Sequence, residues 1–178
     1  AGVTVVLDRA GVTGTDGASH NGVWDMAVLG HVPGLRLAAP RDEESLRSAL
    51  RLAVSTQDGP TVVRYPKGAL PEPLVAVRRL ASGPGGPEHG EEPVQTDTPP
   101  AVSAFDVVDV LLESPQPTGA ARILVVGVGA MAPEAYEAGR ILQNEGRAVT
   151  VVHPHWVIPA PAPLVAAAAE AGIVVVVE

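Results

Sequence analysis

Apolar residues in this chain come in short β-branched runs separated by amphipathic stretches. Val3-Thr4-Val5-Val6-Leu7 is one such run, followed by a Gly-rich loop from Arg9 to Gly17. Ser19 to Leu29 carries Val23, Ala27 and Leu29 as apolar marks, with Ser19 as a candidate N-cap, so a short helix is predicted. Leu35–Ala39 reads as a strand closed by Pro40. Asp42-Glu43-Glu44 then precedes Leu46, Ala49, Leu50, Ala53 and Val54. That spacing predicts an amphipathic helix with acids at its positive end. Asp58-Gly59-Pro60 is a turn into a strand at Thr61–Tyr65. The order β-α-β-α-β predicts a parallel sheet with right-handed crossovers.

The texture changes between residues 70 and 120. Ala81 to Pro100 holds five Pro and four Gly, a composition that suits a linker and the most protease-sensitive segment. Val107–Leu112 could add one strand there. From residue 121 the first pattern returns. Ile123–Val128, Ala148–Val152 and Ile173–Val177 read as strands. Between them lie a helix with Pro133 at its start and Gly146 at C′, and a short Ala-rich helix from Pro163 to Ala171. The expected fold is α/β: two β-α-β-α-β parallel-sheet units, residues 1–69 and 121–178, joined by a linker over 70–120. Both end runs read as buried parallel strands, so the chain is expected to be a piece of a longer protein.

Composition narrows the chemistry. There is no Cys among the 178 residues, which excludes disulfide scaffolds, thiolate metal sites and Cys nucleophiles. The net charge of −8 argues against nucleic acid or anionic membrane as partner. No run approaches the ~20 apolar residues of a membrane span, and no secretion signal is evident. A cytoplasmic location is expected.

The stretch from Asp8 to Gly22 carries most of the candidate chemistry. It follows a predicted parallel strand, where open α/β sheets place ligands. Arg9 supplies a fixed cation, Asp16 a carboxylate and His20 a group that titrates near neutrality. Arg64 ends another strand of the same unit, and Arg9 with Arg64 suggests a phosphate clamp. Gly127-Val128-Gly129-Ala130-Met131-Ala132 superficially matches a dinucleotide fingerprint. The following strand ends in Val152-His153-Pro154 without a ribose-binding acid, so these glycines are read as permitting a tight turn. His153 and His155 lack a third ligand, and no metal site is assigned to them.

Asp8–Gly22, His31-Val32-Pro33-Gly34-Leu35, Ala39–Glu43 and Val63–Gly68 together resemble the 1-deoxy-D-xylulose-5-phosphate synthases, thiamine-diphosphate enzymes of the transketolase superfamily. Val126–Met131, Val149–Val152 and His155-Trp156-Val157 are similar to that family's C-terminal domain. The resemblance covers about residues 1–68 and 105–178. It implies the C-terminal half of a pyrimidine-binding domain followed by the start of a transketolase C-terminal domain. It also implies the family reaction, which condenses pyruvate with glyceraldehyde 3-phosphate, loses carbon dioxide and begins the non-mevalonate route to isoprenoids.

By that resemblance Arg9 and Arg64 hold the acceptor's phosphate. Asp16 and His20 lie near the bound intermediate, one accepting from a substrate hydroxyl and the other donating to a developing alkoxide. The family's Gly-Asp-Gly motif for magnesium and diphosphate is missing, and no Glu occurs before Glu43 to activate the cofactor. Thiamine diphosphate and Mg2+ are therefore expected in a longer, homodimeric parent, with none bound by this chain alone. Two departures stand out: Arg41 where Ser or Thr is usual, and His153-Pro154-His155 where Asp-Pro-Arg is usual. Transketolase itself and the β subunits of 2-oxo-acid dehydrogenases share the implied fold. Asp8-Arg9-Ala10-Gly11 and Arg64–Gly68 favour the synthase. A non-catalytic binding or assembly module is the alternative from another class.

Overall fold

A computed structural model describes residues 2–69, 71–80, 103–115, 117 and 119–178. The Ala81–Pro100 segment lies outside these residues.

The first unit is built from β1 (Val3–Leu7), α1 (Asp25–Leu29), β2 (Arg36–Ala38), α2 (Glu43–Ser55) and β3 (Pro60–Arg64). β3 lies between β1 and β2, parallel to both. The acids expected at the start of α2 are there, and Asp42 also caps the helix. Its Oδ1 accepts from the Ser45 backbone N–H at 2.9 Å, while Ser45 Oγ accepts from Asp42 N–H at 3.0 Å. This reciprocal pair satisfies two donors that a helix start leaves open. α2 then buries Ala49 and Ala53 with Ala38 and Val63 of the sheet.

The predicted helix from Ser19 forms only at Asp25–Leu29. Residues 14–16 and 18–20 form separate single 3-10 turns, and Gly17 between them has φ +82°. Within the predicted span, Asn21 is extended (φ −73°, ψ 128°) after the second turn, and this breaks the helix before Asp25.

The second unit contains β4 (Arg78–Leu80), β5 (Val108–Glu113), β6 (Ile123–Gly127), α3 (Ala132–Asn144), β7 (Val149–Pro154), β8 (Trp156–Ile158), α4 (Ala162–Glu170) and β9 (Ile173–Val177). Its sheet order is β4-β5-β7-β6-β9. The three strands read from the β-branched runs pair in parallel, and β5 and β4 extend them antiparallel. The span 70–120, expected as linker, thus gives this sheet two of its strands. β5 is a core strand, with Val108, Val110, Leu111 and Leu112 buried. α3 starts with Pro in its first turn, and Gly146 just beyond it has φ +76°, as expected for a C′ glycine.

The sheets differ from purely parallel units in one further way. β8 leaves the second unit and pairs antiparallel with β2, completing a four-stranded first sheet. It carries Trp156 into the core with Ala38, Ala49 and Val63. Phe105 stacks edge-on against Trp156 at 4.8 Å, and the Arg36 guanidinium lies 4.5 Å over the Phe105 ring. The two units therefore share packing. Among the described residues β1 and β9, expected as buried strands, lie at sheet edges with one paired strand each, and Val6 and Val176 are 47% and 61% exposed. No helix among the described residues is long and apolar enough to cross a membrane.

Candidate functional site

The carboxyl ends of β1 and β3 bring the first loop and the Tyr65–Gly68 segment together. Tyr65 N–H donates to Leu7 O, and Ala10 N–H donates to Tyr65 O, both at 3.0 Å. Gly22 closes the loop by donating to the carbonyls of Arg9 and Gly11. A Cβ on Gly22 would lie 2.6 Å from Arg9 O, so the closure requires glycine. Asn21 Oδ1 accepts from both the backbone N–H and the hydroxyl of Thr13. Arg9 adopts φ +63°, a left-handed conformation that a non-glycine residue takes only where its surroundings hold it.

Three of the four sequence-predicted residues form one cluster. Arg9 Nε lies 3.4 Å from Asp16 Oδ2. His20 Nδ1 donates to the Asp16 carbonyl at 2.9 Å, leaving Nε2 as the ring nitrogen for other contacts. Lys67, which sequence reasoning did not single out, completes the cluster. Its Nζ donates to Asp16 Oδ1 at 2.6 Å. That bond, helped by the charges of Lys67, Arg9 and His20, holds the Asp16 carboxyl below the usual carboxylate range.

Arg64 stands apart from this cluster. It is 5% exposed, and its guanidinium donates to Gly22 O at 3.2 Å and to Glu178 Oε1 at 3.4 Å. Asp25 Oδ2 lies 3.7 Å from its Nε. Arg64 thus ties β3 to the loop closure, to α1 and to the residue after β9.

Two cavities meet around Pro40, Pro66 and Ala130. One, of about 460 Å3, is lined by Arg9, Arg41, Tyr65, Lys67, Gly68 and Ala130 among others. The second, of about 510 Å3, lies against Arg64, Val128, Gly129, Met131 and Glu178. The Gly127–Ala132 turn at the end of β6 therefore forms a wall of the cleft. Gly129 has φ +56°, and a Cβ there would meet Ala39 Cβ at 3.4 Å. The tight-turn reading of these glycines acquires a place: they let the second unit approach the first.

Behind the cleft, Arg41 and the His153–His155 segment meet. Arg41 donates to Asp109 Oδ2 at 2.7 Å, and His155 Nε2 pairs with the same oxygen at 2.8 Å. Arg79 donates to the other oxygen at 2.9 Å. Asp109 is fully buried. Burial alone would raise its pKa, but the bonds and charges of His155 and Arg41 hold it far below the usual range. His153 is also fully buried, its Nδ1 donating to Gly127 O at 3.0 Å.

Glu43, the first Glu, sits exposed on α2 and pairs with Arg47 at 2.6 Å. Among the described residues no group of three or more His, Asp or Glu could hold a metal ion.

Comparison with known proteins agrees with this architecture. Residues 1–73 match the transketolase pyrimidine-binding domain, and residues 116–178 match the transketolase C-terminal domain. The chain is 46% identical to 1-deoxy-D-xylulose-5-phosphate synthase of Corynebacterium glutamicum over 99% of its own length and 24% of that protein's. It is 49% identical to 1-deoxy-D-xylulose-5-phosphate synthase 2 of Kitasatospora griseola, over 99% and 24%. It thus spans about a quarter of the length of the curated relatives it matches. Transketolase of Campylobacter jejuni shares the fold with a TM-score of 0.67 at 16% identity, covering 97% of this chain and 23% of that one. The inactive β4 tetramer of a split-gene transketolase shares it with a TM-score of 0.66 at 22% identity, covering 98% and 46%. Residues 1–73 are thus similar to the pyrimidine-binding domain of transketolases and residues 116–178 to their C-terminal domain, and along nearly its whole length the chain is similar to 1-deoxy-D-xylulose-5-phosphate synthases.

Proposed function

We propose that this chain forms part of a thiamine-diphosphate-dependent synthase that condenses pyruvate with glyceraldehyde 3-phosphate to 1-deoxy-D-xylulose 5-phosphate, releasing carbon dioxide. The observation that carries the reading is the convergence of Arg9, Asp16 and His20 at the carboxyl ends of two parallel strands, beside cavities closed by the second unit. Arg9 and Arg64 bind the acceptor's phosphate. Asp16 accepts from a substrate hydroxyl, and His20 donates to the oxygen that gains charge as the new bond forms.

Thiamine diphosphate and Mg2+ are held by residues outside this chain. The chain alone binds neither measurably, and it is inactive alone. The parent acts in the cytoplasm as a homodimer. A transketolase or a dehydrogenase β subunit would need the same fold, and the 43–49% identities to synthases favour the synthase.

The test uses the longer synthase chain with phosphorylated and unphosphorylated aldehydes. Arg9→Ala should lower kcat/KM for glyceraldehyde 3-phosphate by about ten- to a hundredfold, the size of one charge-assisted hydrogen bond. Arg64→Ala should lower it too, and the part of its loss that comes from releasing Gly22 and Glu178 should be shared by both aldehydes, so the difference between them isolates the phosphate's share. The loss should be much smaller with an unphosphorylated aldehyde. Equal losses with both acceptors would make these arginines structural. No condensation by the longer chain would reject the synthase reading.

A further inference from the structure

Lys67 is the single lysine of the chain. It is about half exposed, lines the same 460 Å3 cavity as Arg9, and bonds Asp16 at 2.6 Å. The Asp16 carboxylate is therefore bracketed by two cations, Lys67 on Oδ1 and Arg9 on Oδ2. Asp16 Oδ2 is buried, and its contact with Arg9 is an ion pair without a hydrogen bond. An anion already occupies the gap between the two cations, and it belongs to the protein.

We propose that Lys67 is a third phosphate-binding cation, and that the acceptor's phosphate displaces Asp16 from Lys67 and Arg9. The idea rests on the acceptor-site reading above. A phosphate monoester carries more charge than a carboxylate and offers three strong acceptor oxygens, so it competes well for a paired Lys and Arg. The displaced carboxylate becomes available to a substrate hydroxyl. Capture of the phosphate and delivery of Asp16 are then one event. An unphosphorylated aldehyde leaves Asp16 bound to its cations, which makes the cleft selective beyond the binding of the phosphate itself. Lys67 acts on Asp16 through this exchange and is a positioning residue as well as a phosphate ligand.

The test is a titration of this 178-residue chain with inorganic phosphate, so it needs no turnover. Labelling lysine with 15N gives a single side-chain Nζ signal, because Lys67 is the only lysine. Phosphate should move that signal saturably. Lys67→Met should weaken phosphate binding about tenfold, and Lys67→Arg should restore most of it. Asp16→Asn is the decisive variant: with its internal competitor gone, the site should bind phosphate about fivefold tighter or more. Phosphate binding that is unchanged or weaker in Asp16→Asn overturns the exchange. So does a lysine signal that phosphate leaves unmoved. Should the longer chain prove not to be a synthase while Asp16→Asn still tightens phosphate, only the assigned reaction falls. Should the synthase be active while Asp16→Asn does not tighten phosphate, only the exchange falls.

Discussion

His153 offers a quantitative handle on the interior. It lies fully buried near the end of β7, donates from Nδ1 to Gly127 O, and among the described residues has no partner for Nε2. Burial first, then the charge of Arg41, push its pKa down to about 3. In the unfolded chain the ring titrates near its ordinary value of about 6.5. Between those values the unfolded state binds a proton that the native state refuses. Stability is therefore fully present above about pH 6.5 and falls as pH falls toward 3. The slope approaches 1.4 kcal/mol per pH unit, so the loss between pH 7.5 and 5.0 is about 2 kcal/mol. That is a substantial share of a typical domain stability of about 5–15 kcal/mol.

His153→Asn keeps a donor where Nδ1 sits and removes the titration. At pH 7.5 the variant should be less stable by about 1–2 kcal/mol from lost packing. At pH 5.0 that difference should shrink by about 2 kcal/mol and vanish or reverse. Urea unfolding at pH 7.5, 6.5, 5.5 and 5.0 reads both curves. A difference that stays constant across the series would mean that His153 takes up its proton in the folded protein, and the reasoning would fail.

The Asp109 network and the α3–β7 contact give two more expectations. Asp109→Asn should cost about 3–5 kcal/mol in denaturant unfolding, because it strands the buried Arg41; Arg79→Ala, at a position 57% exposed, should cost under about 1 kcal/mol. Because its folded pKa is depressed, the Asp109 contribution is present above the usual carboxylate range and is lost as pH falls below it, so the acid limb of Asp109→Asn should be flatter. Equal costs for the two substitutions would contradict the burial argument. Gly139→Ala would drive a Cβ into the Val151 side chain, and a loss of about 1–3 kcal/mol in thermal or urea unfolding is expected; a neutral result would mean that α3 lifts off β7 freely.

The long β-branched runs were legible because a parallel strand declares itself by composition alone: the runs read at Ile123–Val128 and Ile173–Val177 form β6 and β9, although that they are neighbours is visible only in the sheet. α2 was legible because its acids and its apolar spacing agree. β8 and β4 were not. Each has three residues, and each exists because a partner distant in sequence supplies hydrogen bonds, a fact no local pattern carries. At the site, Arg9, Asp16 and His20 share one loop and could be grouped from sequence. Lys67 reaches Asp16 only because β1 and β3 are neighbours, so its role had no local signal beyond its being the sole lysine. Arg64 reads as a clamp partner of Arg9, but no local pattern announces the carboxylates of Asp25 and Glu178 around it, which come from α1 and from the residue after β9. His153 reads from the sequence as the end of a strand without a metal role, and it does lie at the end of β7; that the ring is enclosed there had no local signal.

The crossing of β8 onto β2 sets a timetable for synthesis. Leu37 and Ala38 leave the ribosome more than a hundred residues before Trp156 and Ile158, the residues that pair with them. At about 5–20 residues per second, the open edge of β2 and the hole that Trp156 fills wait for roughly 5–20 s. During that interval the nascent first sheet presents an unpaired strand beside an unfilled apolar pocket, the combination that recruits wrong partners. Completion of the early unit is thus scheduled by the late one. A ribosome pause placed just before the Trp156 codon should lengthen the vulnerable period, and a faster passage through residues 110–156 should shorten it.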